Sequence, residues 1–293
     1  MKSGFVTILG KPNVGKSTLL NKILGEKVSI VSPKPQTTRN KILGILNEPE
    51  YQIIFIDTPG KHNIKNKLDK YMDSEIEQAK QDVDIVLLVI DGSKKINESD
   101  YEFVESFEKS KQKVIVVINK IDDTTFEKLY PQLVRFNNMK FVLDIIPISA
   151  KNGKNVDELI NVIKNNLTSD IKYFDDDIFT DKSIRFMVSE IIREKALLYL
   201  QDEIPHGIAV DIVEFKEDSK KVIIDADIIC EREAHKPIIL GRNGEMIKKI
   251  GTASRIDIEN LVGLKVYLSL FVKVRDNWRN NFNQMNNLGY TEE

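Results

Sequence analysis

A nine-residue stretch near the start of the sequence, GKPNVGKST, has the residue types needed to hold a chain of phosphates. Its glycines let the backbone curl so that consecutive N–H groups point at one anion, and the start of the following helix adds positive partial charge. The Lys16 side chain would bring a mobile charge to the outer phosphates, and the Ser17 hydroxyl would bind Mg²⁺. The predicted contacts are Gly10, Lys11, Pro12, Asn13, Val14, Gly15, Lys16, Ser17 and Thr18. Because an apolar run precedes this stretch and helical periodicity follows it, a phosphate-binding loop is favoured over a chance glycine turn.

A second motif, Asp57-Thr58-Pro59-Gly60, follows an apolar run about forty residues later. The Asp57 carboxylate would lie just outside the ligands of the magnesium ion, and the Gly60 N–H would reach the γ-phosphate. This geometry predicts that residues 61–67 form a switch, which orders with the triphosphate and relaxes after hydrolysis.

A third motif, Asn119-Lys120-Ile121-Asp122, is the most informative after the phosphate-binding loop. An ionised Asp122 only accepts hydrogen bonds, so it can pair with the ring N1–H and the exocyclic amine of guanine. Adenine presents a lone pair instead, and such a mismatch discriminates by a factor of about 10⁴. Asn119 would brace the phosphate-binding loop and the base, with the Lys120 stem along the purine. A polar turn is the alternative, but the motifs together predict GTP rather than ATP.

A fourth short motif, Ser149-Ala150-Lys151, ends the last apolar run of the first half. Its backbone N–H groups would meet the guanine carbonyl oxygen, and Lys151 would shield the base. This motif is weak alone and completes the set only because of its position.

Apolar runs alternate with amphipathic segments up to about residue 167, which predicts an α/β sheet covered on both faces. The predicted strands are Phe5–Leu9, Lys41–Leu46, Gln52–Ile56, Ile85–Asp91, Val114–Asn119 and Phe141–Ser149. The predicted helices are Lys16–Leu24, Lys67–Lys80, Ser99–Ser110, Thr125–Asn138 and Val156–Leu167. A turn signal at residues 47–50 predicts one antiparallel hairpin in an otherwise parallel sheet. Ligands of such a sheet bind at the carboxyl ends of its strands, where all four motifs fall.

The composition limits where and how this protein works. The chain has 293 residues, room for two domains, and a net charge of −2, so any nucleic-acid partner needs a local basic patch. Its one cysteine, Cys230, lies in an apolar run and is expected to be a buried core residue. The first strand begins almost at Met1 and no apolar run reaches membrane-spanning length, so we expect a cytoplasmic protein.

The second half has a different pattern, in the order helix, strand, strand, helix, GxxG, helix, strand. These predicted elements are Ile184–Leu200, Ile208–Phe215, Lys221–Cys230, Lys236–Leu240, Glu245–Val262 and Lys265–Val274. The order is that of a type II KH domain, whose glycine pair lets an RNA backbone lie against main-chain N–H groups beside a groove for about four nucleotides. The predicted RNA contacts are Gly241, Arg242, Asn243, Gly244, Lys248, Lys249 and Arg255. A solvated helix face is the alternative for these cations.

The four motifs of the first half, in this order and spacing, resemble the translation-factor-related class of small GTPase domains. The segment PQTTR at residues 35–39 resembles the first switch of the Era group, and DNWRN at 276–280 with LGY at 288–290 resembles the Era tail. The sequence is therefore similar to the Era family over nearly its whole length. That resemblance implies a P-loop GTPase domain followed by a type II KH domain, and binding to the 3′ end of small-subunit ribosomal RNA during 30S assembly. It also implies peripheral contact with the inner face of the cell membrane, for which the residues themselves give no argument.

The resemblance also implies roles for individual residues. One switch threonine binds Mg²⁺; its place before an arginine favours Thr38, with Thr37 as the alternative. Asn13 matches the asparagine that relatives use to hold K⁺, which takes over the task of an arginine finger. Lys61 stands where Ras-type domains have a glutamine, and His62 is left out of the predicted catalytic set. That set is Lys16, Thr38 and Gly60, for slow hydrolysis of GTP that depends on magnesium.

These arguments lead to a prediction of a GTP- and GDP-binding switch that also binds single-stranded RNA of the small ribosomal subunit. The expected organisation is a GTPase domain at 1–168, a polar linker at 169–182 and a KH domain with its tail at 183–293, in a monomer. Two alternatives stay open: a GTPase of the tRNA-modifying class, and an RNA-binding module whose nucleotide is structural.

Overall fold

The chain forms two compact units in a computed structural model that describes residues 1–61 and 63–291. The first unit comprises Met1–Ser29, Thr38–His62 and Met72–Asp181, and the second comprises Ile30–Thr37, Asn63–Tyr71 and Lys182–Glu293. Two short segments from the first half of the sequence therefore belong to the second unit. The predicted domain limits do not assign these two segments to the second unit.

In the described residues, the first unit is built on a six-stranded sheet with α-helices on both faces. Its strands are β1 (Lys2–Gly10), β2 (Ile42–Glu48), β3 (Tyr51–Asp57), β4 (Ile85–Asp91), β5 (Lys113–Asn119) and β6 (Val142–Pro147). Its helices are α1 (Lys16–Leu24), α2 (Lys67–Gln78), α3 (Glu98–Glu105), α4 (Phe126–Asn137) and α5 (Val156–Asn166). Helix α2 begins in the segment that the second unit includes.

The strand order β2-β3-β1-β4-β5-β6 explains where a ligand binds. Strands β1, β3, β4, β5 and β6 are parallel, and β2 alone runs antiparallel, paired with β3 across a short hairpin. The predicted mixed, mostly parallel sheet is confirmed. The chain leaves β1 to build one side of the sheet and later returns to build the other, and this reversal opens a crevice at the carboxyl end of β1. The sequence GKPNVGKST follows β1 at that point.

Both faces of the sheet are buried, which accounts for the nearly continuous apolar strands. Leu87 and Ile115 pack on one face with Leu19 of α1 and Leu159 of α5. The other face, with Leu88 at its centre, packs against residues of α2, α3 and α4. A sheet buried on both sides gives a rigid platform for the loops at its edge.

The polar residues predicted as a linker lie along the first unit. Isolated β-bridges join Ser169 to Ser3 and Thr180 to Gly44. Between them, the Gln52 amide group hydrogen-bonds to backbone atoms of Tyr173 and Phe174, and the Tyr173 ring packs edge-on against Phe5 at 4.8 Å. This segment is therefore held in place by two β-bridges, the Gln52 side chain and one aromatic contact.

The second unit packs helices on one face of a three-stranded sheet. Its helices are α6 (Ile184–Tyr199), α7 (His235–Leu240), α8 (Glu245–Val262) and α9 (Phe282–Asn287), and its strands are β7 (Ala209–Glu217), β8 (Lys221–Cys230) and β9 (Lys265–Val274). Strand β7 pairs antiparallel with β8, and β8 pairs parallel with β9, so the sheet order is β7-β8-β9. The predicted KH topology is confirmed. Along β9, buried Val266 and Val272 alternate with exposed residues, as in a sheet with one face in water.

The carboxyl-terminal tail closes one end of the second unit. Trp278 is fully buried, its Nε1–H donates to Gly207 O at 2.9 Å, and its ring stacks on Tyr290. The short helix α9, which the periodicity did not predict, lies between these two aromatic residues in sequence. None of the helices in the described part of the chain combines the length and apolar character that crossing a membrane requires.

Candidate nucleotide site and RNA groove

The phosphate-binding loop is the turn between β1 and α1, and its central cation is buried. Lys16 is 6% exposed, and its Nζ donates to the carbonyl oxygens of Gly10 and Lys11 at 3.1 and 3.2 Å. Burial lowers the pKa of Lys16 to about 8, although Asp57 opposes the shift. A lysine in this environment gains from a negatively charged ligand, because phosphate oxygens would replace neutral carbonyls as its partners.

A cluster of oxygen atoms lies beside this lysine. Ser17 Oγ donates to Asp57 Oδ2 at 2.7 Å and lies 2.9 Å from Thr38 Oγ1. A second hydroxyl, that of Ser29, donates to the same Asp57 oxygen at 2.8 Å. Burial raises the pKa of Asp57, while Lys16 and both serine hydroxyls act in the opposite direction. The sequence placed Ser17, Thr38 and Asp57 here but gave no signal for Ser29.

This cluster fits a magnesium ion. Mg²⁺ prefers hydroxyl, carboxylate and water oxygens, and the cluster offers Ser17, Thr38 and Asp57. Asp57 Oδ1 is buried, and among the described residues its geometry gives it no hydrogen-bond partner. An orphaned carboxylate oxygen of this kind is costly unless a cation or a water held by a cation satisfies it.

The two threonines of residues 35–39, the segment that resembles a first switch, make different contacts. The Thr38 hydroxyl lies against Ser17, whereas the Thr37 hydroxyl donates to Lys34 O at 2.7 Å within its own turn. The geometry therefore favours Thr38 over Thr37 as the magnesium ligand. Within the second unit, Arg193 donates to Thr37 O and Glu194 Oε1 accepts from Val31 N–H at 2.8 Å.

The second switch begins with close backbone packing. A Cβ on Gly60 would lie 2.8 Å from Pro12 Cα, so only glycine fits there without displacing the phosphate-binding loop. The Thr58 hydroxyl donates to Ile8 O at 2.8 Å and fixes the start of the turn, which continues through Pro59. Lys61 is exposed. The prediction about His62 lies outside the described residues.

Asn119, at the end of β5, joins two loops of the site. Its Nδ2 donates to Val14 O at 2.8 Å, and its Oδ1 accepts from Ala150 N–H at 2.9 Å. The side chain is 2% exposed, and a Cβ on Gly15, whose φ is +98°, would lie 2.3 Å from Asn119 Nδ2. Gly15 is therefore required both for its left-handed backbone and for the approach of this asparagine.

The charged residues of the same motif are held in position by opposite charges. Lys120 Nζ donates to Asn13 O and to Asp91 Oδ2, both at 2.7 Å. A hydrogen bond from Ser149 lowers the pKa of Asp122, so this carboxylate is an acceptor at neutral pH, as guanine recognition needs. Asp91, which sequence reasoning missed as a site residue, ends β4 opposite Asn119, and Lys120 follows β5.

The structure changes one detail of the predicted base contacts. Ser149 N–H donates to Lys154 O at 3.1 Å, and Ala150 N–H donates to Asn119. These two amides would have to share their hydrogen bonds to reach a guanine carbonyl oxygen. The turn is local, since Gly153 N–H also donates to Ser149 O at 2.8 Å, and the motif Ser149-Ala150-Lys151 by itself does not indicate it.

Two further side chains support the loops of the site. Asn21 of α1 accepts from the N–H groups of Val28 and Ser29 and donates to Ser29 O, all within 3.0 Å. Lys11 Nζ donates to Asp100 Oδ1 at 2.6 Å, at the start of α3. An asparagine inside a helix has no sequence signature for such a role.

The GRNG turn of the second unit lies between α7 and α8. A Cβ on Gly241 would lie 2.7 Å from Met246 N, and Gly244 has a φ of +78°, so both glycines are structurally required. Arg242 and Asn243 between them are exposed. A groove of about 270 Å³ runs from this region between α8 and β9, and it is lined by Ile247, Lys248, Gly251, Thr252, Arg255, Leu268 and Leu270. A groove with apolar walls and a cationic rim suits unstacked bases and their phosphates.

The predicted RNA-binding cations occupy different places around α8. Lys248 and Arg255 line the groove, and Arg255 also pairs with Glu259 at 2.9 Å. Lys249 lies outside it, with its Nζ 4.3 Å from the centroid of the Tyr199 ring. Helical spacing therefore places Lys248 and Arg255 at this groove and Lys249 beside it, and their contact with RNA stays a prediction.

Comparison with known proteins identifies a family for each half of the chain. Residues 5–120 match the family described as "50S ribosome-binding GTPase", and residues 203–279 match the family described as "KH domain". The chain is 49% identical over 293 residues to the GTPase Era of Clostridium botulinum (strain Eklund 17B / Type B), covering 100% of this chain and 99% of that protein. It is 48% identical over 295 residues to the GTPase Era of Clostridioides difficile (strain 630), with the same coverage.

The chain belongs to the Era family of GTPases. It is a GTP-hydrolysing P-loop protein with a KH domain. Two solved structures extend the likeness to three dimensions, each 40% identical and covering 100% of both chains. They are a variant of Aquifex aeolicus Era bound to GDP·AlF4⁻, with a TM-score of 0.95, and Era in complex with MgGDPNP and nucleotides 1506–1542 of 16S ribosomal RNA, with a TM-score of 0.94.

Proposed function

We propose that this chain is a magnesium-dependent GTP switch that binds single-stranded RNA near the 3′ end of the small-subunit ribosomal RNA and assists 30S subunit assembly. The observation that carries the proposal is the oxygen cluster of Ser17, Thr38 and Asp57 beside Lys16, because Thr38 belongs to the first switch. A relative solved with MgGDPNP and a 16S ribosomal RNA fragment supports it.

Hydrolysis at this site rests on positioning and electrostatics. Lys16 would neutralise the outer phosphates, Gly60 N–H would hold the γ-phosphate, and Thr38 would ligate the metal with Ser17. Magnesium supplies charge that stabilises the oxygens of the transferred group. Position 61 carries an exposed lysine rather than a water-orienting glutamine, so the rate expected without an activator is slow. The test is GTP turnover with and without EDTA; activity that survives chelation would contradict the proposal.

We assign Asn13 to a potassium ion at the same site. Asn13 has a left-handed backbone with a φ of +62°, and its backbone carbonyl oxygen accepts a hydrogen bond from Lys120 Nζ at 2.7 Å. A cation bound at Asn13 would place positive charge next to the phosphates, as an arginine finger does in other GTPases. Turnover should be faster in KCl than in NaCl, and Asn13→Ala should remove the difference. Equal rates in both salts would refute the assignment.

The RNA site is the groove between α8 and β9 together with the GRNG turn. Gly241, Arg242, Asn243 and Gly244 would contact the RNA backbone, while Lys248 and Arg255 would contact phosphates along the groove. Replacing both Arg242 and Asn243 by aspartate should abolish binding, since it puts negative charge on the turn without changing its glycines. The matched control is Lys249→Gln, which removes a charge outside the groove and should have a smaller effect.

The switch is proposed to act through residues 30–37, which are continuous with Thr38. Glu194 on α6 accepts a hydrogen bond from Val31 N–H in the second unit. A movement of Thr38 on exchange of GDP for GTP would shift the adjoining residues 30–37 and strain this hydrogen bond. Glu194→Ala should reduce the difference in RNA affinity between the GDP and GTP-analogue forms, and Glu194→Gln, which keeps an acceptor, should retain it. If both variants match the unmodified protein, the segment carries no coupling.

The remaining predictions concern organisation and location. We propose a GTPase domain at 1–168, a linker at 169–182 and a KH domain at 183–293, in a monomeric, cytoplasmic protein with peripheral contact to the inner face of the membrane. Sedimentation at micromolar concentration tests the monomer, and flotation with anionic lipid vesicles tests the membrane contact. A dimer, or the absence of any vesicle-bound fraction, would remove the corresponding proposal.

A further inference from the structure

The outer face of β9 carries two large aromatic side chains in water. Tyr267 is 50% exposed and Phe271 is 55% exposed. They are four residues apart on one strand, so both point to the face of the sheet opposite α8. At about 3.3 Å per residue their Cα atoms are about 13 Å apart, so each ring offers a separate flat surface to water.

Lysines surround this aromatic pair. The Nζ atoms of Lys265 and Lys221 lie 5.4 and 6.0 Å from the centroid of the Tyr267 ring. Lys273, two residues after Phe271 on the same face, pairs with the nearly buried Asp227 at 2.6 Å. That ion pair neutralises a carboxylate opposite Phe271, while the two lysines nearest Tyr267 place positive charge beside its ring.

A second carboxylate, on β7, is also paired with a cationic side chain. Asp211 on β7 pairs with Arg275 at 3.0 Å. In the strand register, Asp227 lies opposite Phe271, and Asp225 lies opposite Ser269, between the two aromatic positions. Lys221 and Lys265 lie opposite each other beyond Tyr267, where Asp218 accepts from Lys221 N–H at 3.1 Å, so the two lysine ammonium groups supply the positive charge beside Tyr267.

The aromatic face is continuous with the RNA groove through a single strand. Leu268 and Leu270 line the groove from one side of β9, while Tyr267 and Phe271 project from the other side. Strand β9 is the edge of the sheet in the order β7-β8-β9. An extended RNA strand that leaves the groove can therefore pass around this edge and reach the aromatic face within a few nucleotides.

We propose that Tyr267 and Phe271, with Lys221 and Lys265, form an aromatic platform that binds further nucleotides of the same single-stranded RNA. Each ring would stack on one base, and the two lysines, which lie beyond Tyr267 on the side away from Phe271, would contact phosphates next to the base on Tyr267. Stacking accepts any base, so the platform would add affinity and length rather than sequence selectivity. This inference rests on the proposed RNA-binding function, since the groove supplies the first nucleotides.

The test compares two RNAs on the full-length protein in its GTP-analogue form. One has about five nucleotides, enough for a KH groove, and the other has about ten. Tyr267→Thr and Phe271→Thr remove an aromatic ring while keeping a residue that favours strands. Phe282→Ala is the matched control, because Phe282 is 54% exposed in the same unit but lies on α9.

The expected result is a loss confined to the longer RNA. Each threonine variant should weaken its binding about 5- to 100-fold, the range for one stacked base, while binding of the short RNA changes less than about twofold. Phe271→Trp should keep the affinity and add a fluorescence signal that RNA quenches. Lys265→Gln should lower the slope of log K against log salt by about 0.7, as expected for one phosphate on a single strand.

Three outcomes would overturn the inference, and they differ from failure of the RNA function itself. If both threonine variants bind the long RNA normally, or lose the short and the long RNA equally, the platform does not exist. If the variants instead change the sedimentation mass without changing RNA affinity, the face joins two copies of the chain. Loss of all binding by the unmodified protein would refute the proposed function rather than the platform alone.

Discussion

Replacing Asn119 by alanine is the sharpest test of how the nucleotide site is built. The side chain is 2% exposed and bridges the phosphate-binding loop and the 149–151 loop through Val14 O and Ala150 N–H. Alanine leaves both buried backbone groups without their partner. Each unsatisfied group costs about 1–3 kcal/mol. Because the loops can relax toward water, we expect about 2–4 kcal/mol in total.

Two assays show whether this free energy is lost from folding or from nucleotide binding. If the two loops are ordered without nucleotide, the free energy of unfolding of the first unit in urea falls by the full amount, about 2–4 kcal/mol. If they order only around the nucleotide, the dissociation constant for a fluorescent GDP rises by about 30- to 700-fold, at about 1.4 kcal/mol per factor of ten. The loss in free energy of unfolding and the loss in free energy of nucleotide binding should together equal the total expected from the two hydrogen bonds.

Two further variants make the reasoning specific. Asn119→Asp is isosteric and can still accept from Ala150 N–H, but it places a carboxylate oxygen against Val14 O, so it should be at least as damaging as alanine. Asn166 donates to Val162 O within its own helix, and Asn166→Ala should cost less than about 1 kcal/mol. Less than a twofold change in nucleotide affinity together with unchanged stability of Asn119→Ala would refute the bridging role.

Three other predictions follow from single contacts. Asp122→Asn places an amide donor against the guanine donors, so GDP should bind about 100-fold more weakly and xanthosine diphosphate should bind better; unchanged preference in a competition assay would contradict the assigned base contact. Trp278→Phe removes the bond to Gly207 O and should destabilise the second unit by about 1–3 kcal/mol in urea titration, whereas an unchanged transition would show that the bond contributes nothing. Cys230 is fully buried and burial raises the pKa of its thiol, so iodoacetamide should label it only after denaturation, and fast labelling of the native protein at pH 8 would contradict the packing.

Much of the fold follows from periodicity. The apolar runs of the first half become strands within a few residues of the predicted limits, and α1 begins and ends at the residues predicted, Lys16 and Leu24. Helix α3 ends at Glu105 rather than Ser110, because residues 107–110 form turns bonded to the residue three positions before. Side-chain periodicity continued there, but the backbone hydrogen bonds of a helix did not.

The contacts that sequence could not reveal are those between distant backbones. Residues 169–181 carry no apolar pattern, yet Gln52 and the bridges at Ser169 and Thr180 hold them along the first unit. The same holds for the assignment of residues 30–37 and 63–71 to the second unit. Residue propensity and spacing do not predict either of these two arrangements, because no characteristic residue type takes part in them.

The candidate sites show the same division. Residue chemistry and spacing predicted Lys16, Ser17, Asp57 and Asn119, because phosphate, metal and base contacts demand those types. Ser29 could not be found, since a serine after an apolar pair is ordinary. Tyr267 and Phe271 alternate with buried residues as any strand residue does, and only their exposure of about one half distinguishes them.

The central claim, that guanine nucleotide controls RNA binding in this chain, is tested most directly by one titration. The affinity for a single-stranded RNA that ends with the 3′ sequence of the small-subunit ribosomal RNA is measured with GDP, with a non-hydrolysable GTP analogue and without nucleotide. The account predicts that the GTP-analogue form differs from the GDP form by about 5- to 150-fold, the range of a typical coupling between two sites. Equal affinity in all three states, or no affinity in any, would contradict it.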